Sequence, residues 1–339
     1  MTDDATSIDR PKALIVISSA DQLPLSKPAD ESIDIGWFLV ELAAVMARFE
    51  ETHDFVLATP DGKVPTLDIN GMALAMHGGA HLGTDTARLA MQADVLGFDF
   101  EKLRTHNPQL VARRESELAL LRRRLGRMPV SQNLPKTDKE AASIRDEIIA
   151  SLADLPEKKW QSIGDLVARH RDPDDDFSLA DFDFMYAPGG HAPMVDFHDN
   201  PIVGELLNGL NENGVLIGLI CHAPIAMTSA RYRLDAAGDV VVDEDHAFKG
   251  AHVTTVPKYG ELGMLEVGYP KIPGEKTRLT YYVDVALEKA GYDVALTLNP
   301  SAVKVVWDAE HNLLTGNGPQ SVDAQADRLI DILRRRSTR

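Results

Sequence analysis

Along this chain, short continuous apolar runs alternate with stretches whose apolar residues recur at helical spacing. Lys12–Ser18 (KALIVIS) crowds β-branched residues into one run, which predicts a strand buried on both faces, as a parallel sheet requires. Gly36–Phe49 follows with helical spacing, and Phe55–Thr59 closes a strand-helix-strand unit, with PDGKVP as the next turn. Phe182–Ala187 and Val215–Ile220 are further predicted strands, each followed by a helix, at Pro201–Asn211 and His222–Arg231. Val241–Val242 and Phe248–Lys249 are expected to pair as a hairpin around the acidic DEDH turn, ahead of a strand at Ala251–Val256. A helix at Leu279–Ala290, a strand at Lys304–Trp307, a loop or strand at Asn312–Gly316 and a helix at Ser321–Arg335 complete the series. Such alternation predicts a three-layer α/β sandwich around a mainly parallel sheet.

Residues 72–171 break this rhythm and are expected to form an inserted helical region, a lid or a dimerisation arm, within a single domain spanning 1–339. Arg104–Arg127 holds seven Arg against two Glu, whereas Asp172–Asp183 holds six Asp. A solvated face is the plain reading of each run; a basic arm meeting an acidic surface is the other.

Composition narrows the function classes. The chain has 339 residues, 44% hydrophobic and 26% charged, which excludes a disordered or fibrous chain. Its 35 Lys and Arg against 52 Asp and Glu give a net charge of −17, which disfavours nucleic acid and anionic membrane as partners and favours a small neutral or electrophilic substrate. No apolar run reaches the roughly 18 residues of a membrane span. The start, MTDDATSIDRPKALIVIS, lacks a basic n-region and a cleavage site, so a cytoplasmic protein is expected. One cysteine, Cys221, excludes an internal disulfide or a Cys-rich zinc site and fits a reducing compartment.

That cysteine stands where the strand Val215–Ile220 runs directly into a helix. A sharp turn there projects the side chain above the carboxyl edge of the sheet, in the manner of a nucleophile elbow, and the small neighbours Gly218 and Ala223 suit the crowding. A helix N-terminus favours the thiolate, which is the nucleophilic form. A buried core cysteine is the plain alternative. His222 follows, and because adjacent side chains at a turn diverge, its ring is expected at the mouth of the site, as a proton shuttle, rather than on the thiol. The glycine pair of the 186–197 loop lets backbone N–H groups approach a reacting oxygen, so Gly190 and the amide of His222 would form an oxyanion hole. Glu41 lies within the apolar face of its predicted helix, where a carboxyl that stays protonated could donate to a thiolate.

The PGGHAPMVDF loop, the GLICHAPIA elbow, Glu41 in GWFLVELA and the terminal LLTGNGPQS resemble the ThiJ/PfpI superfamily of class I glutamine-amidotransferase-like proteins. Within it they are most similar to the large heat-shock glyoxalase III and holding-chaperone subgroup. The resemblance covers residues 12–60 and 180–335 and implies a flavodoxin-like fold and a homodimer. It also implies Cys221 as nucleophile, His222 as triad histidine, Glu41 as the carboxyl bonded to the cysteine, and Gly189 and His191 as substrate contacts. The third triad member falls in VTTVPKYGELGM, where Glu261 is available, with Glu266 and Asp245 as alternatives. The subgroup's GGHG and CHGP are GGHA and CHAP here, and the two added methyls, on Ala192 and Ala223, are expected near the pocket, narrowing substrate choice.

The resemblance therefore implies a cofactor-free enzyme converting methylglyoxal or glyoxal to a 2-hydroxy acid, with protein deglycase or chaperone activity alongside and a role in stress response. His222 with Glu261 or Glu41 would move the proton between carbons. A thiol hydratase or hydrolase of small nitrogen compounds and a noncatalytic redox-responsive chaperone are the alternatives. Glutamine hydrolysis is disfavoured, because Ala309-Glu-His311 has the order opposite to the HPE-like motif. Papain-type proteolysis is excluded by the missing signature around the cysteine. His77, His81, Glu50 and His53 could offer two imidazoles and a carboxylate to a metal, but dispersed polar loop residues are the simpler reading, and no metal is expected.

Overall fold

A computed structural model describes residues 10–83, 105–132, 139–267 and 269–338. Residues 84–104, 133–138 and the side chain of His81, all within the expected insertion, lie outside the described residues.

A seven-stranded sheet orders the chain as Val305–Asp308, Leu313–Gly316, Leu216–Ile220, Phe182–Ala187, Lys12–Val16, Asp54–Thr59 and Gln161–Ser162. All neighbours are parallel except Val305–Asp308, which returns antiparallel on Leu313–Gly316. The register sets Ile15, Tyr186, Gly218 and Leu314 in one row across the middle.

Both faces are covered, which is why the central strands read as unbroken apolar runs. Ala13, Ile15 and Ile17 pack toward the helices Leu39–Phe49, Pro108–Arg124 and Val322–Ser337. Leu14 and Val16 pack the other way, against Ile163–Arg171 and Pro201–Glu212. Each fully buried Leu, Ile or Val contributes about 1.5–3 kcal/mol of transfer free energy. The three-layer α/β architecture is thus as the pattern predicts, and no helix among the described residues is long and apolar enough to cross a membrane.

Several local expectations need correction. Val240–Val242 pairs antiparallel with Tyr232–Leu234, not with Phe248–Lys249. The hairpin turn is Asp235–Asp239, where the Asp235 carboxylate accepts from the amides of Ala237 and Asp239 and Gly238 takes φ 87°, a conformation closed to most residues. The predicted helix His222–Arg231 is a shorter 3₁₀ segment, Ala223–Ser229, because its following residues are drawn into that hairpin. Only His252–Val253 of the strand expected at Ala251–Val256 is extended and paired, parallel to Asp293–Val294. A small sheet of Gln22–Lys27, Ser32–Asp34 and Arg278–Leu279 occupies the stretch between the first strand and its helix, for which the pattern predicts no element; its signal is the inward Leu23, Leu25 and Ile33.

Of the 72–171 stretch, the end belongs to the main fold, since Gln161–Ser162 is the outermost sheet strand. The rest of its described residues dock through apolar side chains, Leu118, Leu121, Ile144 and Ile148 among them, and through charge. Arg114 Nη1 binds both oxygens of Glu140, at 2.9 and 3.0 Å, and the carbonyl of Met72 at 3.0 Å, all buried. Other arginines of the basic block find acids within the chain: Arg113 binds Glu117 and Asp323, Arg123 and Arg124 bind Glu50, and Arg127 binds Glu157. None of these partners lies in the Asp172–Asp183 run. Breaking a buried pair leaves an uncompensated charge, so Arg114→Ala is expected to lower unfolding free energy in urea by about 3–5 kcal/mol. Arg123→Ala, at a half-exposed pair, should cost at most about 1 kcal/mol.

Candidate active site

The site is built at the carboxyl ends of two neighbouring strands. Leu216–Ile220 ends at Cys221, whose φ of 61° is left-handed, a conformation costing a non-glycine residue ~1–3 kcal/mol. The surroundings enforce it. Cys221 N–H donates to the Gly316 carbonyl at 2.9 Å, and its own carbonyl accepts the Thr255 hydroxyl at 2.6 Å. Phe182–Ala187 ends in the loop carrying Gly189 and Gly190. A β-carbon on Gly189 would lie 2.6 Å from the cysteine Cβ and 2.9 Å from Glu41 Oε2; one on Gly190, at φ 80°, would lie 2.3 Å from the Gly36 carbonyl oxygen. The absence of side chains lets the loop lie between the thiol and the helix that bears Glu41.

His222 does not diverge from the thiol. Its Nδ1 is 3.2 Å from Cys221 Sγ, because the left-handed residue followed by a right-handed one folds both side chains to the same side. His222 Nε2 lies 2.9 Å from Glu261 Oε2, in the first turn of the helix Lys258–Val267. Glu261 Oε1 meets His191 Nε2 at 2.8 Å. One carboxylate thus fixes two imidazoles whose ring centroids are 4.3 Å apart. With each Nε2 donating to Glu261, His222 Nδ1 is left as an acceptor facing the thiol, and His191 Nδ1 is buried without a partner. Glu266 and Asp245 are elsewhere, exposed and paired with Arg278 and Lys249.

The charges in this buried cluster oppose one another. Burial alone would raise Glu261, yet His191 and His222 hold it well below the usual carboxylate range. His191 is raised, the Glu261 carboxylate outweighing burial, while burial and the neighbouring His191 lower His222. Burial and then Glu41 push the Cys221 thiol well up, so the resting thiol is protonated and its thiolate must be made by proton transfer. The helix-terminus argument for a standing thiolate is overridden by desolvation. Glu41 is fully buried and raised to about 7 by burial, against the lowering effect of Cys221 and the Gly189 amide, which donates to Oε2 at 2.8 Å. Its other oxygen, Oε1, has no partner at hydrogen-bond geometry among the described residues.

A cavity of about 430 Å³ opens over Gly190, His191, Cys221, His222 and Glu261. Ala192 and Ala223 are not among its lining residues; both are fully buried in the core cluster below it, so they do not narrow the pocket. Two lining or supporting groups had no sequence signal: Tyr269, whose ring stands edge-on to His191 at 5.3 Å, and the buried Asp68 that its hydroxyl donates to at 2.5 Å. Of the dispersed residues considered for a metal, the described ones, His77, His53 and Glu50, do not converge. His77 binds Glu117, His53 binds Asp183 and Glu50 binds arginines. His191, His222 and Glu261 do have ligand atoms within 4.8 Å of one another, but a cation there would replace the hydrogen bonds that orient both rings.

A thiol held at a strained elbow above a doubly covered parallel sheet, with an imidazole and a carboxylate in line behind it, defines a thiol-centred α/β protein. The protein/nucleic acid deglycase HchA of Staphylococcus aureus is 28% identical over 184 residues, 51% of this chain and 53% of that protein. The chain therefore spans about half the length of the curated relatives it matches. Rapid Encystment Protein 24 kDa of Francisella tularensis superposes over 95% of this chain and 98% of its own, with a TM-score of 0.52 at 15% identity. Glyoxalase III of Candida albicans gives a TM-score of 0.49 at 15% identity, over 94% and 96% of the two chains. No family model matches the chain. The fold is the flavodoxin-like α/β fold of these structural neighbours, and the likeness to HchA agrees with the resemblance to the ThiJ/PfpI superfamily.

A buried acid whose folded value lies above its unfolded one keeps its proton longer in the native state, so its ionisation erodes stability as pH rises from one value to the other. For Glu41 that window runs from 4.5 to about 7 and corresponds to about 3 kcal/mol. Urea unfolding of wild type and Glu41→Gln across it should show the variant gaining that amount relative to wild type, with nearly all the gain between pH ~5 and ~7.

Proposed function

We propose that the protein is a glutathione-independent, cysteine-dependent enzyme of the glyoxalase III type, converting a 2-oxoaldehyde and water into a 2-hydroxy acid. The observation that carries this reading is the line Cys221 Sγ, His222 Nδ1, His222 Nε2, Glu261 Oε2, at 3.2 and 2.9 Å, opening on a cavity. The sequence likeness to a protein named as a deglycase supports an aldehyde-directed thiol, and the same chemistry would serve aldehyde adducts of proteins.

In this mechanism Cys221 Sγ attacks the aldehyde carbon as its proton passes to His222 Nδ1, and the carbonyl electrons move to an oxyanion. The N–H groups of Gly190 and His222 hold that oxygen, which His222 then protonates to give a hemithioacetal. His222 next takes the hydrogen from the same carbon as a proton. The electron pair moves through the carbon–carbon bond to the ketone oxygen as an enediolate; His222 returns the proton to the former ketone carbon, and the first carbon's hydroxyl proton passes to that neighbour's oxygen, leaving a thioester carbonyl. One carbon is oxidised by two electrons and its neighbour reduced by two, so no external oxidant enters. Water adds to the thioester, the C–S bond breaks, and the thiol recovers its proton. Protonated Glu41 supports the departing sulfur with its free Oε1 hydroxyl.

Incubation with methylglyoxal in the absence of glutathione is expected to yield lactate, and Cys221→Ser is expected to yield none. Consumption at wild-type rate by the serine variant, or no lactate from wild type, would contradict the proposal. Glu261→Gln, which cannot hold both imidazoles as acceptors, is expected to lower kcat ~10²–10⁴-fold with little change in KM, measured by initial rates of lactate release.

A further inference from the structure

We infer that the site is built for an uncharged 2-oxoaldehyde bearing an aromatic or branched apolar substituent, and that methylglyoxal is a small, poorly held member of that class. This rests on the reaction proposed above and sharpens its substrate. The cavity volume of about 430 Å³ falls within the ~300–1,000 Å³ of sites that enclose drug-sized ligands, so a three-carbon aldehyde anchored on Cys221 leaves most of it unfilled.

What faces the unfilled part is apolar. Phe38, Met76, Val256, Met264, Tyr269 and Pro300 line it. Phe38 and Tyr269 lie 6.5 Å apart with planes tilted by 30°, and two methionines beside them can adjust to an irregular occupant. Several of the polar side chains in the lining are already committed, His191 Nδ1 being an exception. Asn317 binds the Ala302 carbonyl and the Lys304 amide, Gln320 donates to the Pro300 carbonyl, and Glu261 is taken by the two histidines. Tyr269 gives its hydroxyl hydrogen to Asp68.

No lysine or arginine is among the described lining residues, whereas Glu41, Glu261 and Asp68 are buried at or beside them. An aldehyde carrying a carboxylate or phosphate would meet these acids, and the imidazole beside them, His191, is already held by Glu261. The carbonyl end is served by Gly190 and His222, so all discrimination among substrates falls on the substituent. A phenyl ring in place of methyl adds several carbons to bury against that wall, and one buried methylene alone is worth ~10-fold or more in kcat/KM.

The test compares kcat/KM of the full chain for methylglyoxal, phenylglyoxal and 4-carboxyphenylglyoxal, following release of the 2-hydroxy acid without glutathione. Phenylglyoxal is expected to exceed methylglyoxal at least ~10-fold, and the carboxylated ring to lose that advantage. Met264→Trp, which fills the apolar part, is expected to bring the phenylglyoxal to methylglyoxal ratio toward one. Turnover of methylglyoxal as good as or better than phenylglyoxal, or equal use of both aryl substrates, overturns this inference and leaves the glyoxalase reading standing. Consumption of none of the three overturns both.

Discussion

The left-handed backbone of Cys221 is the constraint on which the rest of the site depends. At φ 61° the residue can neither continue its strand nor begin a helix, so the chain turns sharply at the sheet edge and carries the thiol above it. The strain of ~1–3 kcal/mol is borne by a bond on each side, to Gly316 from the neighbouring strand and from Thr255. The same turn folds His222 back onto the sulfur, and so one backbone angle sets both the position of the thiol and the imidazole that faces it.

Around that elbow, function follows from desolvation. A cysteine in water is a few per cent thiolate at neutral pH; this one, buried beside Glu41, is held protonated. The cost in standing reactivity is offset by two acceptors or donors already in place: an imidazole whose free nitrogen faces the thiol and a carboxyl whose free oxygen has no other partner. Glu261 makes the first possible by serving His222 and His191 at once. Gly189 and Gly190 make the second possible, since a β-carbon at 189 would strike Cys221 and Glu41 and one at 190 would strike the Gly36 carbonyl.

The sheet was legible in the sequence because strands covered on both faces leave continuous apolar runs, and Leu216–Ile220, Phe182–Ala187 and Lys12–Val16 stand within a residue or two of their predicted spans. The elbow was legible for the same reason, as the lone thiol at the end of such a run. What failed was local. A hairpin around Asp235–Asp239 displaced the one expected around DEDH, since both stretches are acidic turns and only the positive φ of Gly238 separates them. His222 was expected to point away, a rule that holds for ordinary φ and breaks at a left-handed residue. Glu261 was reached through resemblance rather than spacing, and Tyr269 with Asp68, 201 positions apart, left no pattern at all. Nor could the apolar wall be read, because Phe38, Met264 and Tyr269 meet only once the sheet edge has gathered their loops.

The central claim is that Cys221 carries the substrate covalently. Its most direct measurement is mass spectrometry of protein quenched with acid during turnover of methylglyoxal, with the peptide containing Cys221 isolated. The account predicts one substrate mass added at that sulfur, present during turnover and gone once substrate is exhausted. Turnover with the Cys221 peptide unmodified at every time point would contradict it.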